Sequence, residues 1–193
     1  MNKRDTSTQK LVLGAILTAV VVILQFMGAF IHLGPFSISL VLIPIVIGSA
    51  ICGTAMGAWL GLVFGVIVLV SGDAGAFFAV NVPGTIITVI SKGILCGIAS
   101  GLAYHIFSKI NNVLGVVVAA IACPVVNTGV FLVCCYTFFY DVLVDWAMTA
   151  GFSSDISKYM IFGLVGANFL AELLINIILS PVIVRILQIK KNL

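Results

Sequence analysis

The sequence predicts an all-helical integral membrane protein, a bundle of six transmembrane helices with both termini in the cytoplasm. Of its 193 residues, 62% are hydrophobic and only 8% are charged, whereas a soluble domain needs more charge than this to cover its surface. No Lys, Arg, Asp or Glu occurs between Lys10 and Asp73, a stretch long enough for three spans of about 20 residues each. We expect residues 1–193 to form a single transmembrane domain.

Six apolar segments can be drawn along the chain, and each is expected to form one helix. The first is too long for the apolar region of a signal peptide and lacks a clear cleavage site, so we expect it to be retained. Gly34 and Pro35 in HLGPFS mark a loop after it, and AICGTA is so tight that the second and third segments must form a hairpin. The segments are residues 10–30, 37–52, 53–72, 84–108, 113–139 and 159–188.

The basic residues cluster at connections that an even number of spans places on one side. The positive-inside rule makes that side cytoplasmic, and the acidic residues of the loops then face outward with Lys158 beside them. This agreement favours six spans over five or seven and predicts a multi-pass protein of the cytoplasmic membrane. The basic residues are Lys3, Arg4, Lys10, Lys109, Arg185, Lys190 and Lys191, and the acidic loop residues are Asp73, Asp141, Asp145 and Asp155.

Small residues recur at every fourth position in three segments, a spacing that lets two helix backbones approach closely. Most such grooves serve packing within a bundle. Three helices with such grooves in one small chain are more than the folding of six spans requires. We therefore expect part of this surface to receive a partner protein. The residues are Ala15 and Ala19 in the first segment, Gly53, Gly57, Gly61 and Gly65 in the third, and Gly93, Gly97 and Gly101 in the fourth.

Several classes of function are disfavoured by what the sequence lacks. It has no GxxxxGK[ST] phosphate loop, no HExxH, no GxSxG and no Ser-His-Asp set, so we expect neither an enzyme nor an ATP site. The net charge of +3 is too small and scattered for nucleic acid. Five cysteines without metal-binding spacing are expected to pack as small apolar residues, with no metal and no cofactor. They are Cys52, Cys96, Cys123, Cys134 and Cys135.

Two ionisable residues, Lys92 and Glu172, lie inside apolar segments, where a buried charge indicates function or an ion pair. Both belong to polar stripes with helical spacing, and Asn127 follows Pro124, which is expected to kink the fifth helix. At about 1.5 Å per residue, Lys92 lies roughly 12 Å from the outer end of its helix, and the other groups reach similar depth. The stripes are Asn81, Thr85, Thr88 and Lys92 on the fourth helix, and Asn168, Glu172 and Asn176 on the sixth.

These polar groups predict a binding pocket that is open to the outside. The alternative is that Lys92 and Glu172 neutralise each other as a structural pair, which leaves the Thr and Asn ladder above Lys92 unexplained. The predicted ligand-binding residues are Lys92, Asn81, Thr85, Thr88, Asn127, Asn168 and Glu172.

Six spans, the early AILTA and the run GPFSISLVLIPIVIGSAICGTAMGAWLGLVFG resemble the substrate-binding S components of energy-coupling factor (ECF) vitamin transporters. The resemblance covers nearly the whole chain. It implies an outward vitamin pocket formed by the outer loops and the fourth to sixth helices. It also implies that the first three helices dock, through Ala15 and Ala19 with Gly57 and Gly61 beside them, onto a transmembrane coupling subunit driven by two ATPases.

The resemblance leaves the vitamin open. A buried cation at Lys92 suits a carboxylate or phosphate, so a small anionic vitamin such as pantothenate fits slightly better than riboflavin. An alternative from another class is a six-span scaffold of the cell-wall machinery, similar to MreD shape proteins, which would bind no ligand. The aromatic residues that could contact a ligand are Trp59, Trp146, Phe77, Phe78, Tyr136 and Tyr140.

Overall fold

The computed structural model describes residues 3–28, 39–152 and 155–192, and within these ranges every regular element is a helix. The all-helical class is therefore confirmed for the described part of the chain. The elements are α1 (Lys3–Gly28), α2 (Leu42–Cys52), α3 (Thr54–Ser71), α4 (Gly75–Phe78), α5 (Val82–Phe107), α6 (Asn112–Phe138), α7 (Tyr140–Thr149), α8 (Ile156–Lys158), a π-helical segment (Tyr159–Leu164) and α9 (Gly166–Asn192).

Five helices in the described ranges are long and apolar enough to cross a membrane, namely α1, α3, α5, α6 and α9. α2 has 11 residues and so rises only about 16 Å, against a hydrocarbon core about 30 Å thick. The predicted HLGPFS loop and the start of the predicted second span lie outside the described residues. The chain is a multi-pass membrane protein, whereas the count of six spans and the cytoplasmic termini stay predictions.

Helices α3 and α5 touch through their glycines. A methyl group added to Gly61 would collide with the carbonyl oxygen of Gly93, and one added to Gly57 would lie 2.5 Å from the carbonyl oxygen of Gly97. Because both helices lack side chains here, their backbones approach closely and gain dispersion contacts. Gly57 and Gly61 are buried against α5 of the same chain, so they serve packing within the bundle, and their role in docking a partner stays a prediction.

Helix α1 packs on α2 and α3 with one face and leaves the other uncovered. Gly14 and Leu17 are buried, and Gly14 lies against the side chain of Met56 on α3. Ala15 and Ala19, one turn apart, are exposed on the outer face of α1. These two alanines are therefore accessible to another chain, and their role in docking stays a prediction.

The long connection after α6 folds into a helix where the sequence predicts a loop. Leu143 and Ala147 of α7 are buried four residues apart, while Asp141 and Asp145 are exposed. An apolar stripe with charges on the opposite face is the pattern of an amphipathic helix. This short pattern is enough to hold α7 against α6, which it contacts.

The five cysteines are all free thiols on helices. Cys96, Cys123 and Cys135 are buried, while Cys52 and Cys134 are half-buried. Within the described ranges, no group of three His, Cys, Asp or Glu side chains is placed to hold a metal ion. The burial of the cysteines agrees with a role in packing.

We expect Gly61→Ala to destabilise the protein by about 1–3 kcal/mol, because the new methyl group must push α3 away from α5. Gly129→Ala is the matched control, since a methyl group at Gly129 on α6 would meet nothing within 4 Å, and it should be neutral or slightly stabilising. Thermal unfolding of the two purified variants in detergent measures the difference. Equal effects of the two substitutions would contradict the close contact.

Candidate ligand-binding site

A cavity lies among the C-terminal halves of α3 and α6 and the N-terminal halves of α5 and α9, which meet at one end of the bundle. The cavity and its mouth together hold about 700 Å³ of space free of protein atoms, open solvent included. Aromatic and aliphatic side chains form much of its wall. The polar residues that line it are Ser39, Asp73, Thr85, Thr88, Lys92, Asn127, Thr128, Asn168 and Glu172.

The cavity brings together most of the residues that the sequence predicts for the ligand pocket. Residues three, four and seven positions apart share one face of a helix, and this spacing places three of them on one side of α5. The lining residues among those predicted are Thr85, Thr88 and Lys92 on α5, Asn127 on α6, and Asn168 and Glu172 on α9.

Asn81 is the predicted pocket residue that does not line the cavity. Its side-chain oxygen accepts the backbone N–H of Gly84 at 3.0 Å and caps the start of α5. A capping Asn satisfies one of the free N–H groups at a helix start. The polar character of Asn81 is therefore explained by the helix end, and we do not carry it into the candidate site.

Lys92 lies ten residues after Val82, the first residue of α5, which is about 15 Å along the helix. Its Nζ is 5.4 Å from the ring centroid of Phe64 and 5.3 Å from that of Phe131, and the negative faces of aromatic rings attract a cation. Among the residues that the structure describes, no carboxylate forms an ion pair with Lys92. The alternative of a structural pair between Lys92 and Glu172 is therefore not supported by a direct contact between the two side chains.

The two carboxylates of the cavity each accept a hydrogen bond from another part of the protein. Glu172, 5% exposed, accepts the backbone N–H of Ser39 at 2.9 Å. Asp73 accepts from the side-chain amide of Gln25 at 3.4 Å. Lys92 differs from both acids, because its Nζ lies near two aromatic rings and forms no ion pair among the described residues.

The two threonines of α5 offer only acceptor capacity to the cavity. The hydroxyl of Thr85 donates to the carbonyl of Asn81, and the hydroxyl of Thr88 donates to the carbonyl of Gly84, both at 2.7 Å. A hydroxyl has one proton and two lone pairs. Once the proton is bonded within the helix, the lone pairs are what each oxygen presents to a ligand.

Asn127 lies on α6, which runs unbroken from Asn112 to Phe138 although it contains Pro124. The side chain is 4% exposed and lies beside the carboxylate of Glu172. Its Oδ1 is buried and accepts no hydrogen bond from the described part of the chain. A buried acceptor without a donor costs about 1–3 kcal/mol, which makes this oxygen a candidate acceptor for a donor on a bound molecule.

Phe77 on α4 lies at the centre of an aromatic cluster in the cavity wall. Of the predicted aromatic contacts, Phe77 lines the cavity, whereas Tyr136 and Tyr140 are exposed and pack on each other. Trp146, considered for stacking on a ligand, instead contacts Phe77. The edge-on neighbours of Phe77 are Phe131 at 5.7 Å, Phe139 at 4.8 Å and Trp146 at 5.5 Å between ring centroids.

Sequence patterns miss several lining residues. Phe64 and Phe131 are two of 13 phenylalanines, and nothing in their spacing separates them from those that face lipid. Ser39 contributes its backbone N–H, which any residue except proline would carry. Among these missed residues, only Asp73 could have been predicted from the sequence. It directly follows an apolar segment, on the side of the membrane where the acidic loop residues are predicted to lie.

The model of the family "ECF transporter, substrate-specific component" matches residues 9–184. The chain therefore belongs to the substrate-specific components of ECF transporters, a family of membrane transport proteins. This membership confirms the resemblance and disfavours the alternative of a scaffold of the cell-wall machinery.

One curated relative covers almost the same length. The "Pantothenic acid transporter PanT" of Lactococcus lactis subsp. cremoris (strain MG1363) is 32% identical over 196 residues, with 92% of this chain and 93% of the relative aligned. No solved structure gives a significant match. The similarity thus extends over the cavity and α1 alike.

We expect Lys92→Met and Glu172→Gln to leave the ligand-free protein nearly as stable as the wild type. The two charges form no direct pair, and glutamine keeps an oxygen that can accept the N–H of Ser39. Thermal unfolding of both variants, with Lys109→Met as a control for the loss of an exposed lysine, checks this. Two strongly destabilised single variants whose combination regains stability would instead establish a structural pair.

Proposed function

We propose that this chain captures pantothenate in the cavity and delivers it to an ECF module, made of a transmembrane coupling subunit and two ATPase subunits, in the cytoplasmic membrane. The observation that carries the proposal is Lys92, an ammonium group that lines the cavity and forms no ion pair with a carboxylate in the described part of the chain. Family membership supports a vitamin as the ligand, and the name of the relative supports pantothenate.

The chemistry of pantothenate matches the groups that line the cavity. Its carboxylate suits Lys92, since a charge-assisted hydrogen bond in a dry site is strong. Its hydroxyls and amide N–H are donors for the acceptor oxygens of Thr85, Thr88 and Asn127. Its methyl groups suit the aromatic part of the wall, which includes Phe77 and Phe131.

In the proposed orientation the cavity opens to the outside. The exposed basic residues Lys10, Lys109 and Arg185 lie near helix ends opposite to the cavity, and an excess of Lys and Arg is typical of the cytoplasmic side. Asp73 lies in the wall of the cavity itself. A ligand therefore reaches the site from outside, while the partner ATPases work inside.

Purified without partners, the wild-type chain should bind pantothenate in detergent and hydrolyse no ATP. Lys92→Met should weaken that binding about a hundredfold, because loss of a buried charged partner costs about 3 kcal/mol. Isothermal titration calorimetry measures both affinities. Panthenol, which has an alcohol in place of the carboxylate, is the control ligand, and Lys92→Met should change its affinity little.

Three results would contradict different parts of the proposal. ATP hydrolysis by the pure chain would end the proposal of a binding subunit. Absence of pantothenate binding by the wild type would reject this vitamin, and a vitamin panel on the same protein would then find another. Equal losses for pantothenate and panthenol would show that Lys92 does not meet the carboxylate.

Ala15→Trp and Ala19→Trp should abolish pantothenate uptake by the assembled transporter and leave affinity in detergent nearly unchanged. Both alanines are exposed on α1, so an indole there would hold a partner helix away without entering the cavity. Val133→Trp is the matched control, because Val133 is 68% exposed on α6, away from α1. Parallel loss of uptake and affinity in the α1 variants would contradict docking through this face.

A further inference from the structure

We propose that Asn127 selects the ligand by accepting a hydrogen bond from one of its neutral donors, a hydroxyl or an amide N–H, on its side-chain oxygen. The inference rests on the proposed function and specifies its substrate class: a carboxylate that also carries neutral hydrogen-bond donors. Lys92 would hold the anion, and Asn127 would distinguish it from carboxylates without such a donor.

The first observation is that the neutral polar groups facing the cavity are mainly acceptors. The hydroxyl protons of Thr85 and Thr88 are bonded to carbonyls of their own helix, and the oxygen of Asn127 has no donor among the described residues. Lys92 carries the cationic donor of the cavity wall, and Thr128 and Asn168 carry neutral donors beside it. A ligand that offered only acceptors would leave the oxygens of Thr85, Thr88 and Asn127 without a donor.

The second observation fixes the orientation of the Asn127 side chain. It lies beside the carboxylate of Glu172, toward which its NH₂ group turns because two oxygens would repel each other. The carbonyl oxygen is therefore expected to point away from Glu172, in a residue that lines the cavity and whose oxygen is buried without a donor among the described residues. With 4% of the side chain exposed, bulk water does not compete for this oxygen.

Selectivity follows from the cost of an unpaired buried group. A site built to bond a donor discriminates strongly against an analogue that lacks it, because the protein oxygen is then left desolvated and alone. Replacing both partners by apolar groups removes this penalty. The loss caused by altering the ligand should therefore disappear when Asn127 is also made apolar.

The experiment uses the purified full-length chain with pantothenate and three analogues, each lacking one neutral donor: either hydroxyl replaced by hydrogen, or the amide N-methylated. For the wild type, at least one analogue should bind at least about tenfold more weakly than pantothenate. In Asn127→Leu, the affinities for pantothenate and for that same analogue should differ by no more than about twofold. We call this quotient of the two affinities the ratio for that analogue. If this variant does not fold, Asn127→Ala, which adds no bulk, replaces it.

Asn176→Leu is the matched control. Asn176 on α9 is 1% exposed, and its side-chain oxygen also has no partner within the described ranges, but it does not line the cavity. Its nitrogen donates instead to the carbonyl of Glu172 at 2.8 Å. The same chemical change at this position should therefore leave all three ratios at their wild-type values.

Each outcome of this experiment either supports or overturns the proposed role of Asn127. A ratio that falls in Asn127→Leu and persists in Asn176→Leu supports the proposal. Wild-type ratios retained in Asn127→Leu, or three analogues that bind the wild type as tightly as pantothenate, overturn it while the proposed function stands. A wild type that does not bind pantothenate overturns both proposals.

Discussion

The backbone contact between α3 and α5 is the constraint on which the cavity depends. Gly93, which meets Gly61 across this contact, directly follows Lys92, and Phe64 lies one turn beyond Gly61. Because the glycines set the separation of the two helices, they also set the 5.4 Å distance between the ammonium and the ring of Phe64. The packing of α3 against α5 therefore also determines where the ammonium of Lys92 lies relative to the ring of Phe64.

Around this contact, the polar groups of the cavity fall into two sets. Some are satisfied by the protein, as when Glu172 accepts the N–H of Ser39 and Thr88 donates to its own helix. Others, Lys92 and the oxygen of Asn127, have no such partner among the described residues. Asn176 also has an oxygen without a partner among these residues, but it lies outside the cavity wall, so it is the second set together with its place in the wall that makes this cavity the candidate ligand site.

Sequence patterns predicted the parts of the site that follow from helical spacing. Lys92 and Glu172 stand out because charges are rare in apolar helices, and Thr85 and Thr88 follow from the face they share with Lys92. The same spacing failed for Asn81, since the helix begins at Val82 and the preceding Asn serves as its cap. For Gly57 and Gly61 the spacing predicted close helix packing but not which helix is packed against them, because a stripe of small residues does not identify the helix that covers it.

The bonds of Thr85 and Thr88 to their own helix also shape the thermodynamics of binding. A hydroxyl already fixed in one rotamer loses no side-chain conformational entropy when a ligand arrives, so that cost falls mainly on the flexible ligand. A ligand bound against the aromatic wall would remove apolar surface from water, and binding would then have a negative heat-capacity change. Such a ligand would gain affinity from the rigidity that the site has before binding.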